Sequence, residues 1–143
     1  MPNRILIVDD DPMIRQFVDL VLTQQGFKAV AAASSDTAMQ LLGREGFSLV
    51  LLDINMPGMT GLDVLRLMRA RPGRPKILMM TAHRDPATIM KALEQGADGY
   101  LAKPFKPQDL LKRIETVLKG PAQAKTPETK TPETKATDEL ILD

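Results

Sequence analysis

Five short apolar runs alternate with five longer amphipathic segments across residues 1–119, and few architectures accept that order. The apolar runs fall at about 4–8, 28–32, 48–52, 77–81 and 99–102, the amphipathic segments at about 12–25, 35–45, 61–71, 86–95 and 107–119. Ile5 to Val8 and Leu49 to Leu52 are unbroken apolar stretches, as expected of strands covered on both faces. The run Lys28-Ala29-Val30-Ala31-Ala32 is weaker and fits an edge strand. Pro12, Pro86 and Pro107 sit where helices would begin, a position at which a missing N–H costs nothing. Asp11 and Asp85 precede two of them as N-caps. Gly26, Gly46, Gly73, Gly96 and Gly120 follow helical stretches as stops. The pattern predicts an α/β domain: a five-stranded parallel sheet, right-handed crossovers, and helices on both faces.

In open α/β sheets, ligands bind beyond the carboxyl ends of the strands. Polar residues gather at those ends here. Asp9 and Asp10 end the first apolar run, Asp53 the third, Thr81 the fourth, and Lys103 follows the fifth. If the strands are neighbours, three acids and one lysine share a crevice. That set suits a divalent metal and a phosphoryl group better than a hydrolytic dyad. Magnesium needs only one or two carboxylates and a carbonyl, with water or phosphoryl oxygen filling the rest. An aspartate can also serve as a nucleophile and carry phosphate.

Composition removes competing classes. With 143 residues the chain fits one domain. It has no Cys, so disulfides, thiolate catalysis and a cysteine zinc site are excluded. Aromatics are scarce, so the core must be aliphatic, with nine Met to fill gaps. A net charge of +1 argues against a dedicated nucleic-acid binder. The basic run Arg66, Arg69, Arg71, Arg74 and Lys76 lacks any accompanying DNA-binding motif and is expected to be a solvated helix end and loop. No DNA-binding module, secretory signal or membrane span is expected, and the cytoplasm is the expected location.

The motifs Val8-Asp9-Asp10, Leu52-Asp53-Ile54-Asn55-Met56-Pro57-Gly58-Met59-Thr60-Gly61, Thr81-Ala82 and Gly99-Tyr100-Leu101-Ala102-Lys103-Pro104-Phe105 occur in this order. Across residues 3–119 the chain resembles the response-regulator receiver domain of two-component signalling, as in stand-alone, chemotaxis-regulator-like receivers. The resemblance implies a flavodoxin-like, doubly wound fold with strand order 2-1-3-4-5. It implies that Asp53 takes a phosphoryl group from a phospho-histidine of a sensor kinase or a histidine phosphotransfer protein. Asp10, Asp53 and the Asn55 backbone carbonyl would bind magnesium, with manganese as an alternative ion, and Asp9 would act through a bound water. Lys103, Thr81 and Ala82 would meet the phosphoryl group, and Tyr100 would move with Thr81 as a switch. Asn55 and His83 would tune dephosphorylation. A cis peptide is expected at Lys103-Pro104.

The resemblance also implies surfaces. Met13, Ile14, Pro104 and Phe105 are expected to dock the phosphodonor. Arg84, Met90, Lys91, Glu94 and Lys106 are candidates for the face that reads out to a downstream protein. Such a chain is not an enzyme for an external substrate, although it would catalyse its own phosphorylation and slow dephosphorylation. The alternative is the receiver part of a longer regulator with an output module. A phosphatase of the haloacid dehalogenase type is disfavoured, because it needs a second Asp where Asn55 stands.

From Gly120 the composition shifts to Pro, Thr, Lys, Glu and Ala, and Thr-Pro-Glu-Thr-Lys occurs twice, at 126–130 and 131–135. Residues 1–119 are therefore expected to be the receiver domain. Residues 120–143 are expected to be a disordered tail with a short acidic-apolar end, Asp138-Glu139-Leu140-Ile141-Leu142-Asp143.

Overall fold

The computed structural model describes residues 3–54, 61–70, 74–82 and 86–119. Strands and helices alternate throughout: β1 (Arg4–Val8), α1 (Pro12–Gln24), β2 (Lys28–Ala32), α2 (Ser35–Arg44), β3 (Leu49–Asp53), α3 (Gly61–Arg69), β4 (Lys76–Thr81), α4 (Pro86–Glu94), β5 (Gly99–Ala102) and α5 (Pro107–Lys119). The strands form one sheet in the order β2-β1-β3-β4-β5, and every neighbouring pair is parallel. This is the flavodoxin-like arrangement expected from the sequence. Ile7 pairs with Ala31 on one side and Leu51 on the other, and Leu51 pairs with Leu78 in turn.

Successive side chains of a strand point to opposite faces, so each strand contributes to two cores. One core contains Leu6, Val8, Val50, Leu52, Ile77 and Met79, covered by Ala38 of α2, Val64, Leu65 and Met68 of α3, and Ala92 of α4. The other contains Ile5, Ile7, Leu49, Leu51, Leu78 and Met80, covered by Val18, Val21 and Leu22 of α1 and Leu110, Ile114 and Val117 of α5. β2 is one of the two edge strands, and its burial is correspondingly broken: Lys28 and Ala31 are exposed, while Ala32 is buried.

Local chemistry sets the element ends. Asp11 caps α1, its carboxylate accepting from the Met13 amide at 2.9 Å. Ser34 caps α2 in the same way through the Thr37 amide. Gly26 and Gly96 follow α1 and α4 with φ of 88° and 113°, backbone that a side chain would strain. Gly46 plays no such part: α2 stops at Arg44, and Glu45 is already extended. The Lys103-Pro104 peptide is cis, as expected. The expected cap Asp85 and stops Gly73 and Gly120 lie outside the described residues, as does the expected tail.

Candidate functional site

The polar residues singled out in the sequence meet at the carboxyl edge of the sheet. Asp53 is the last residue of β3, a strand buried along its whole length. Its neighbour Ile54 still donates to the Met80 carbonyl at 3.2 Å, so the backbone stays in register beneath the carboxylate. Asp9 follows β1 directly, its amide donating to the Ala32 carbonyl at 3.2 Å. Asp9 lies one residue beyond β1 and Lys103 one residue beyond β5, so with Asp53 at the end of β3 all three stand at the same edge of the sheet.

Contacts confirm the convergence. Lys103 Nζ donates to Asp9 Oδ2 at 2.8 Å and stands 3.5 Å from Asp53 Oδ1. The Asp11 amide donates to Asp9 Oδ1 at 2.9 Å. Both carboxylate oxygens of Asp9 are therefore engaged, as a fully buried charge requires. Asp9, Asp10 and Asp53 each offer an oxygen within 4.8 Å of the others, with Asp9 and Asp53 buried and Asp10 exposed. Among the described residues, the one ammonium paired with these acids reaches Asp9 and Asp53, and Asp10 stands exposed beside them. A hard divalent cation fits that donor set. Asn55, the third expected ligand, lies outside the described residues.

Thr81 ends β4 and is buried, while Ala82 beside it is exposed. The Thr81 carbonyl accepts from the Lys103 amide at 2.7 Å, tying the two residues through the backbone. Tyr100 pairs with Met79 and Ala102 with Thr81, so Tyr100 and Thr81 are diagonal neighbours on one face. Tyr100 is half-buried against the α2/α3/α4 core, and the Arg113 guanidinium lies 5.7 Å from its ring centre. His83 and Arg84 lie outside the described residues.

The proposed docking residues are divided. Met13 is 73% exposed and Pro104 is exposed, whereas Ile14 and Phe105 are half-buried against the α1/α5 core. Phe105 meets Phe17 with ring centres 6.0 Å apart. Met90, Lys91, Glu94 and Lys106 are exposed. Part of the basic run is used within the domain: Arg66 pairs with Asp63 at 2.7 Å, Arg74 with Asp98 at 3.4 Å, and Arg69 reaches the Gln95 carbonyl. Among the described residues, no helix is long and apolar enough to cross a membrane.

Sequence reasoning passed over Arg15. Its Nη1 donates to the Asp9 main-chain carbonyl at 2.8 Å, tying α1 to the loop that carries Asp9 and Asp10. The only signal was a charge six residues after Asp9, on the first turns of α1.

Comparison with known proteins agrees with this geometry. The family model for the response regulator receiver domain matches residues 5–115. The DNA-binding response regulator MtrA of Mycolicibacterium smegmatis is 41% identical over 119 residues, which is 83% of this chain and 52% of that protein. The chemotaxis response regulator CheY4 of Vibrio cholerae superposes with a TM-score of 0.78 at 33% identity, covering 82% of this chain and 99% of that one. A CheY-like receiver domain protein of Methanospirillum hungatei gives 0.78 at 35% identity, covering 83% and 95%. The chain belongs to the response-regulator receiver domain family.

The same comparison corrects one expectation. The sequence predicts no DNA-binding module, yet the MtrA relatives are DNA-binding regulators by name. This chain spans about half of their length. The physical reason is simple: the residues of a receiver build a sheet and an acid site, and they carry no information about what the receiver works beside.

Proposed function

We propose that Asp53 is the phosphoacceptor, taking a phosphoryl group from a phospho-histidine of a sensor kinase or a histidine phosphotransfer protein. The observation that carries this reading is the meeting of Asp53, Asp9, Asp10 and Lys103 at one strand edge. An Asp53 carboxylate oxygen forms the bond to phosphorus as the phosphorus–nitrogen bond of the donor breaks. The imidazole leaves with that electron pair. Lys103 reaches both Asp9 and Asp53, so it can hold a phosphoryl oxygen on Asp53 without moving far. Thr81 and the exposed Ala82 border the same site, and the Thr81 hydroxyl would donate to a second oxygen. Tyr100, diagonal to Thr81, would respond to its movement.

Asp10, Asp53 and the Asn55 carbonyl would hold a magnesium ion, or manganese in its place, which would supply positive charge to the transferring group. The engagement of both Asp9 oxygens supports an outer role for that residue. Asn55 and His83 would set how fast the phosphoryl group is lost by the protein's own slow hydrolysis. Met13, Ile14, Pro104 and Phe105 would receive the donor, with Met13 and Pro104 making outward contact. Residues 1–119 would form the receiver domain, with 120–143 as an appended segment, acting in the cytoplasm.

Transfer of label from a phosphorylated histidine donor tests the reading: Asp53→Ala should abolish it while leaving the fold intact. Sustained phosphate release from small phosphomonoesters would instead favour a phosphatase. The MtrA similarity supports a second reading, in which this receiver controls an output module of a longer regulator. An immunoblot of native cells separates the two, since the stand-alone chain runs near 15.8 kDa.

A further inference from the structure

We infer that Arg15 is a positioning residue for Asp10, an assignment that rests on reading the acids as a divalent-cation site. The acids of the β1–α1 loop are anchored unequally. Asp9 is held through its amide, its carbonyl and both carboxylate oxygens. Asp10 is exposed, and among the described residues no hydrogen bond reaches its side chain. Its carboxylate nonetheless stands within 4.8 Å of the other two. Three like charges that close repel one another, so Asp10 would swing toward solvent unless its backbone were fixed.

The Arg15 side chain supplies that restraint, while its amide makes the ordinary first-turn helix bond. Its amide donates to the Asp11 carbonyl at 3.1 Å, and its Nη1 donates to the Asp9 carbonyl at 2.8 Å. The Asp9 carbonyl belongs to the same rigid peptide plane as the Asp10 nitrogen. Holding that oxygen sets the pivot from which the Asp10 side chain projects. The bond is charge-assisted and correspondingly strong. A helical side chain leans toward its own N-terminus, which is why a residue on α1 can reach back over the loop. Arg15 is half-buried, and among the described residues no carboxylate lies within 4.0 Å of its guanidinium. Among the described residues, the one hydrogen-bond partner of its side chain is this carbonyl.

The test is calorimetric titration of the full chain with Mg2+ and with Mn2+. Arg15→Met keeps the stem and removes the donor. It should weaken both ions roughly tenfold to a hundredfold, the usual effect of losing a residue that orients a metal ligand. The Mg2+ concentration for half-maximal phosphorylation by a small acyl phosphate should rise by the same factor, while the rate at saturating Mg2+ falls less. Arg15→Lys keeps the charge, but its ammonium ends short of the Nη1 position. It should resemble Arg15→Met. Wild-type affinity in Arg15→Met, or full rescue by Arg15→Lys, would overturn the inference, the latter by showing that charge alone suffices. If Arg15→Met does not fold, Arg15→Lys alone decides. Failure of the wild-type chain to bind either ion would overturn the site reading, and the inference with it.

Discussion

Lys103 lies closer to Asp9, at 2.8 Å, than to Asp53, at 3.5 Å. The choice follows from burial. Asp9 has no exposed surface and needs a donor for each oxygen, and the Asp11 amide serves only one of them. Replacing Lys103 with Met would leave Asp9 Oδ2 buried without that donor, at a cost of about 1–3 kcal/mol. Urea unfolding should show the loss, and added Mg2+ should restore part of it, because a ligand that binds only the native state stabilises that state. An unchanged midpoint would mean that water already satisfies Asp9. At this scale the sequence named Asp9, Asp10, Asp53, Thr81 and Lys103, since polar side chains at the ends of apolar strands stand out. It did not show which acid the lysine selects. Nor did it show Arg15, whose partner is a main-chain carbonyl and leaves no mark in residue type.

The alternation that predicted the elements was read to within one or two residues at each end. β3 runs one residue further than its apolar stretch, to Asp53, because a ladder pairs backbone groups and ignores side-chain polarity. α1, α2 and α4 each end one residue earlier than expected, and α3 ends two earlier, where hydrophobic spacing gives no sharp signal. Two predictions belong here. Asp11→Ala removes the cap of α1 and should lower stability by about 1 kcal/mol in chemical denaturation. Gly99 brings β5 against α5: an added Cβ would meet Val117 Cγ2 at 3.0 Å and Leu78 Cδ1 at 3.3 Å. Gly99→Val should therefore cost about 1–3 kcal/mol by overpacking, visible as a lower melting temperature. A neutral result would show that α5 shifts freely away from β5.

For the molecule as a whole, one sheet separates two aliphatic cores and gathers the acids at its carboxyl edge. Among the described residues, the buried apolar ones run from Ile5 to Val117. The Pro-, Thr-, Lys- and Glu-rich composition of residues 120–143 is ill suited to burying a core, so removing them should leave the unfolding midpoint of the full chain unchanged, and a clear drop would place stabilising contacts in that segment. Fold and family were legible because alternation and strand-end chemistry agree with each other. What the receiver controls was not legible, since DNA binding in the MtrA relatives belongs to proteins about twice the matched length. The most direct test of the central claim is mass spectrometry of the chain after exposure to Mg2+ and an acyl phosphate donor. One phosphoryl group should appear on Asp53, and none without Mg2+ or in Asp53→Asn. Equal phosphorylation of wild type and Asp53→Asn would contradict the account.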